Sequence, residues 1–135
     1  MNVPDGWQLT QSAPNEWDVQ RDQTGVKLSI RVEPLQGRDL AGVTADIRKE
    51  LEAAPELHEI ETVEKTVVRS QPAMAMVSVG PCVALPNGLF RVRLRTTIFL
   101  DGDRAFIVYG GGDITKYDAL MPTYEAVLAS LEPRP

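Results

Sequence analysis

Apolar and polar residues alternate without a break from Val26 to Glu33: Val26, Leu28, Ile30 and Val32 are separated by Lys27, Ser29, Arg31 and Glu33. A period of two puts the apolar set on one face of an extended chain, so this stretch predicts a half-buried strand. Glu16–Arg21 precedes it across Asp22-Gln23-Thr24-Gly25, a glycine-containing connection of hairpin length. Two further turn signals follow. Asn87-Gly88 lies between Ala73–Leu85 and Leu89–Leu100, and Asp101-Gly102 lies between that strand and Asp103–Tyr109. Both dipeptides tolerate the positive φ of a type I′ turn, whose twist matches the strands it joins. Residues 73–109 therefore read as an antiparallel meander, with Glu59–Ser70 supplying one more strand that turns at Gln71-Pro72.

Helical spacing replaces this pattern twice. Leu40, Val43, Ile47 and Leu51 recur at intervals of three and four and make one apolar stripe, with Asp39 placed to cap it and Pro55 to stop it. A second helix is expected over Pro122–Leu131, with Pro122 in its first turn and an apolar face of Tyr124, Val127, Leu128 and Leu131. The order is ββ(β)–α–ββββ–α. Strands in groups with few helices favour an α+β fold, a twisted and mainly antiparallel sheet with two principal helices packed on it.

The chain has 135 residues, enough for a single domain over 1–135 that needs no disulfide or metal to hold its core. A net charge of −5 argues against general nucleic-acid affinity, which needs an excess of Lys and Arg. One Cys and one His exclude an intrachain disulfide and any zinc site built from several such ligands. No apolar run approaches the ~20 residues of a membrane span, and Met1-Asn2-Val3-Pro4-Asp5-Gly6 has neither part of a signal peptide. As written the chain is expected in the cytoplasm, or as an exported protein or lipoprotein if a leader has been removed. Its oligomeric state is not set by the sequence.

Three stretches carry a resemblance to known domains. Val3-Pro4-Asp5-Gly6-Trp7 is similar to a Pro-x-Gly-Trp start, and Gln71-Pro72-Ala73 stands where a Pro-Ala turn precedes a long hairpin. The third runs from Arg104-Ala105-Phe106-Ile107-Val108-Tyr109 through Tyr117-Asp118 to the helix Pro122–Leu131, with Leu131 in place of a closing aromatic. Together they resemble the Mog/PsbP-like fold group, especially its bacterial DcrB-like branch, which includes LpqN-type lipoproteins and secretion-adaptor chaperones. The resemblance implies an α/β sandwich and a protein that acts by binding partners. It brings no site residue with it, because fold does not fix function.

Candidate chemistry is sparse. His58, in Pro55-Glu56-Leu57-His58-Glu59, reads as a surface or loop residue, and no serine lies in a Gly-x-Ser-x-Gly elbow. Cys82 after Gly80-Pro81 reads as a small buried hydrophobe. The carboxylates Glu50, Glu52, Glu56, Glu59, Glu61 and Glu64 alternate with apolar residues as an outward face does. Asp101-Gly102-Asp103 is too short for a calcium loop. Gly110-Gly111-Gly112-Asp113 could form an anion-holding nest, but reads more simply as the connection from the last strand to the second helix.

The row Arg91, Arg93, Arg95 departs from this background. Period two puts the three guanidiniums on one sheet face, opposite Phe90, Val92, Leu94, Thr96 and Ile98, which face the core. Pairing Leu85 with Phe90 across Asn87-Gly88 adds Cys82 and Ala84 to the arginine face, and Met76 and Met74 if Gly80-Pro81 keeps the register. Such a face suits an acidic or amphipathic partner; equally, its arginines can pair across strands with Glu61 or Glu64. The expected function is a non-catalytic adaptor or chaperone-like module for a protein or peptide, without cofactor or metal, and with Arg91, Arg93 and Arg95 as the partner-binding residues. The rival expectation is a carrier with a pocket between sheet and helices for a small apolar or anionic ligand. A small hydrolase is the remaining, least favoured class.

Overall fold

Among the described residues seven strands, every neighbouring pair antiparallel, form one sheet in the order β1-β2-β3-β7-β6-β5-β4. The computed structural model describes residues 8–13, 16–20, 26–53, 59–68, 71–85 and 88–130. Three strands come first: β1 (Gln8–Ala13), β2 (Glu16–Gln20) and β3 (Val26–Pro34). Helix α1 (Leu40–Ala53) follows, then β4 (Glu59–Val68), β5 (Gln71–Leu85), β6 (Gly88–Asp101) and β7 (Arg104–Asp113). A 3-10 turn at Ile114–Lys116 leads into α2 (Tyr117–Ser130). The expected α+β sheet with two principal helices is thus the architecture observed.

The two helices cover opposite faces. Val43, Ile47 and Leu51 of α1 pack on Met76, Ile98, Ala105 and Ile107. Leu120, Tyr124, Val127 and Leu128 of α2 pack on Leu28, Ile30, Val32, Phe99, Phe106 and Val108. Successive strand residues point to opposite faces, so Ile98 and Phe99 serve different helices, as do Ile107 and Val108. Burying one such side chain contributes about 1.5–3 kcal/mol, and the central strands gain it on both sides. The sequence reading assigned β6 one buried and one solvated face. A second helix over the other face overturns that assignment, and consecutive burial at Thr96, Thr97, Ile98 and Phe99 is the consequence.

Local chemistry explains most boundaries. Asp39 caps α1 as expected, its Oδ1 accepting from the Gly42 N–H at 2.8 Å. Between β3 and α1 the chain reverses at Gln36 (φ 54°) and Gly37 (φ 80°), with the Arg38 N–H donating to the Leu35 carbonyl at 3.0 Å. Positive φ at both central residues is the type I′ pattern. Arg38 fastens this reversal: its guanidinium donates to the Leu35 and Pro34 carbonyls and to Glu33 and Asp46, all within 2.8–3.1 Å.

Several expected turns shift by a residue or two. Leu85 pairs with Gly88 rather than with Phe90, so Gly88 belongs to β6 and Cys82 faces Arg91. Val68 pairs with Gln71 and Val67 with Pro72, so Gln71-Pro72 belongs to β5 and is not the turn. Asp101 pairs with Arg104 and only Gly102 of the loop has positive φ, the φ pattern of a type II′ turn. Helix α2 begins at Tyr117, five residues before Pro122, which lies inside it. The early start is set by Asp113, whose Oδ1 accepts from the N–H and hydroxyl of Thr115 at 3.0 and 2.8 Å. Pro122 forgoes a single N–H bond there, near the helix start. Gly110-Gly111-Gly112-Asp113 is the end of β7, paired to β3 and β6, and not a connection. His58, Leu131 and Trp7 lie outside the described residues.

Candidate functional site

Arg93 and Arg95 of the row lie against Tyr117 and Tyr124 of α2. Arg93 and Arg95 stand opposite Gly112 and Gly110 of β7 on one side and Val79 and Val77 of β5 on the other. A bulge between Val79 and Cys82 breaks the β5 register at Gly80-Pro81. Met76 and Met74 therefore pair with Thr96 and Ile98 and belong to the α1 face, not to the arginine face. Arg91 is described as a β6 residue facing Cys82, and the contacts of its side chain lie outside the described residues.

Glycine makes room for the helix here. A β-carbon on Gly110 would overlap the Tyr124 ring and lie 2.8 Å from Leu28 Cδ2. Tyr124 consequently packs against the sheet, fully buried, with its hydroxyl donating to the Val108 carbonyl at 2.8 Å. The phenol has one proton, so the 2.6 Å contact with Thr97 Oγ1 has threonine as donor. Burial pushes the Tyr124 phenol far above its usual range, against the opposing pull of Thr97 and Arg95.

Arg93 and Arg95 each meet a tyrosine ring and a carboxylate. The Arg93 guanidinium lies 5.4 Å from the Tyr117 ring centre, and its Nη2 donates to both oxygens of Glu61 at 2.9 and 3.1 Å. Arg95 lies 5.8 Å from the Tyr124 ring centre and 3.9 Å from Glu125 Oε1. Glu61 was one of two cross-strand partners the sequence offered; it reaches Arg93 across β5 from the bulge in β4. Arg93 and Arg95 remain 30% and 24% exposed, and their buried Nε atoms have no hydrogen-bond partner. Tyr117 is also raised, by burial first, with Arg95 and Arg93 opposing. The pairing of Arg93 and Arg95 with aromatic faces was not visible in the sequence, because it depends on where α2 begins.

A similar arrangement occurs on the α1 face. Arg31 lies 5.9 Å from the Tyr109 ring centre and donates to Glu50 at 2.9 Å. Burial pushes the Tyr109 phenol up to about 12. Beside it, Glu33, Pro34, Gln36, Arg38, Asp46 and Glu50 line an open surface depression of about 450 Å³. Its charges are engaged with one another: Arg38 with Glu33 and Asp46, and Glu50 with Arg31. Among the described residues no group of three His, Cys, Asp or Glu converges as a metal site would require, and no described helix is long and apolar enough to cross a membrane.

No protein-family model matches the chain, and no curated protein matches it in sequence. Solved structures do. The cyanobacterial PsbP protein (CyanoP) of Synechocystis superposes with a TM-score of 0.67 at 10% identity, over 98% of this chain and 84% of that one. A Pseudomonas aeruginosa protein of unknown function, PA94, gives 0.63 at 15% identity, over 100% of this chain and 91% of that one. A Bacteroides thetaiotaomicron protein gives 0.61 at 15% identity, over 100% of this chain and 44% of that one. At such identities the likeness is one of fold, and the fold of this chain is the PsbP-like one.

Proposed function

We propose that this domain is a non-catalytic binding module for a protein or peptide, and that the row Arg91, Arg93, Arg95 beside α2 is its recognition surface for an acidic segment. The observation that carries the reading is Arg95. Its guanidinium is partly exposed and oriented on a tyrosine ring, its Nε is without a partner, and its carboxylate neighbour stands at 3.9 Å, beyond hydrogen-bond distance. A planar guanidinium held in this way suits bidentate capture of an incoming carboxylate. The tyrosines support binding over acid–base chemistry: catalysis wants a proton affinity near the working pH, whereas Tyr109, Tyr117 and Tyr124 are all shifted upward, away from it.

The test is an array of immobilised peptides of graded charge, probed with the wild type and with Arg93→Gln/Arg95→Gln, alongside thermal melts of both proteins. Acidic peptides should retain the wild type and release the variant while the melting temperatures stay within a few degrees. Equal retention of the two folded proteins refutes the reading.

A further inference from the structure

Among the described strands β4 forms one edge of the sheet, with β5 on its inner side. Its α1-side face is Val63, Lys65 and Val67, paired in register with Met76, Met74 and Pro72. Helix α1 packs over Met76, and its cluster takes in Ile60 at the start of β4 but neither Val63 nor Val67. Asp46 and Glu50 tie its flank to Arg38 and Arg31, towards β3 and away from β4. Val63 and Val67 are consequently 38% and 66% exposed, the large apolar side chains among the described residues that water reaches most. Pro72 is exposed and Met74 half-buried beside them. The stripe thus combines apolar contact area with an outward row of backbone N–H and C=O groups that β5 does not use.

Charge selects the occupant. Directly opposed residues of an antiparallel pair share a face and interact. A second copy pairing about Lys65 would match Val63 with Val67 twice, but would set Lys65 against itself. A lysine at the middle of an edge strand is a device against such self-pairing. An incoming strand with an acid at that position meets no such repulsion. On the other face Glu64 lies between Thr62 and Thr66 and favours a base opposite it.

We infer that the β4 edge accepts an extended peptide as an additional antiparallel strand, of the pattern apolar–polar–acidic–basic–apolar opposite Val67, Thr66, Lys65, Glu64 and Val63. Main-chain hydrogen bonds supply affinity and alternate side chains supply choice, as in other strand-addition modes. This surface lies on the opposite sheet face from Arg93 and Arg95 and does not depend on their role.

The experiment uses a capped fluorescent peptide centred on Val-Thr-Glu-Lys-Val and a charge-swapped version centred on Val-Thr-Lys-Glu-Val, titrated with the full chain by fluorescence polarisation. The first should bind saturably and the second about three- to tenfold more weakly, since one swap turns attraction to repulsion. Lys65→Glu should narrow or reverse that preference, and Val67→Lys should weaken the first peptide. Both positions are exposed, so melts of the variants should match the wild type. Arg95→Gln should leave the titration unchanged. The inference is overturned by absence of saturation up to about 1 mM peptide, by a preference that Lys65→Glu leaves intact, or by loss of binding in Arg95→Gln. It is equally overturned if sedimentation shows a dimer that Val67→Lys converts to a monomer, since a second copy then occupies the edge.

Discussion

Gly110 and Tyr124 occupy one another's space: the phenol ring of α2 fills the volume that a β-carbon on β7 would need. The strand gives up side-chain bulk at that point and gains a buried aromatic whose hydroxyl ties Thr97 of β6 to the Val108 carbonyl of β7. Gly110→Ala should therefore cost more than ordinary overpacking, at least about 1–3 kcal/mol in urea unfolding. The added methyl meets a ring and Leu28 with no free rotamer between them. A change below about 0.5 kcal/mol would mean the ring has room to move.

Tyr124→Phe isolates the hydroxyl from the ring. It leaves the shape intact but strips the Val108 carbonyl of its donor and Thr97 of its acceptor in a fully buried place. A buried polar group left without a partner costs about 1–3 kcal/mol. Replacing Thr97 by Val in the same protein should recover part of that loss, because the threonine hydroxyl then no longer needs an acceptor. A double-mutant cycle on urea midpoints measures the coupling.

The three tyrosines of the chain are all shifted upward in the folded state, Tyr109 to about 12, with burial as the leading cause in each. A phenol whose folded value lies above its unfolded value of 10.0 keeps its proton better when folded. That stabilisation is complete below pH 10 and is lost as pH rises from 10 towards 12. Absorbance at 295 nm should show little phenolate at pH 10 in the native protein. In urea the same titration should centre near the ordinary value of about 10. A native titration midpoint near 10 would contradict the packing of α2 and of Arg31 on Tyr109.

What the sequence made legible follows from where one rule decided the outcome. Alternation from Val26 to Val32, the stripe Val43–Ile47–Leu51 and the cap at Asp39 each have a single physical cause, and each is observed. Period two could not show that Phe99 and Thr97 are buried as well as Ile98, because alternation in one strand does not count the helices above the sheet. Gly110, Gly111 and Gly112 have poor strand propensity and read as a connection until β3 and β6 are paired with them and Tyr124 is placed on Gly110. Pro122 drew the expected helix start to itself, whereas Asp113 and Thr115 set it. The arginine row was visible, and Glu61 with it, but the aromatic faces beneath Arg93 and Arg95 depend on that misplaced start. The exposure of Val63 and Val67 is not written in the sequence, since only the sheet order shows that β4 is an edge.

Gln36 occupies left-handed backbone at φ 54° with its side chain exposed, so it contributes no packing in return. An L-residue in that region costs roughly 1–2 kcal/mol relative to the right-handed one, and glycine avoids the penalty. Gln36→Gly should raise stability by about 0.5–1 kcal/mol, less than the full relief because glycine also gains freedom in the unfolded chain. Gln36→Val, with a branched β-carbon at the same φ, should lower it. Urea midpoints with unchanged m-values provide the measure.

Leu51 and Leu128 are 6% and 5% exposed and belong to different cores, one beneath α1 and the other beneath α2. Truncation of either to alanine should cost about 2–5 kcal/mol through lost burial and the cavity left behind. The sheet separates the two sites, and they share no contacting side chain between their clusters. Their effects should therefore add to within about 0.5 kcal/mol in the double variant. Substantial non-additivity would show that strain passes through the sheet, from Ile107 on one face to Val108 on the other. A cost below about 0.5 kcal/mol for Leu51→Ala alone would mean that α1 does not depend on its stripe, and with it would go the account of why two helices bury both faces of β6 and β7.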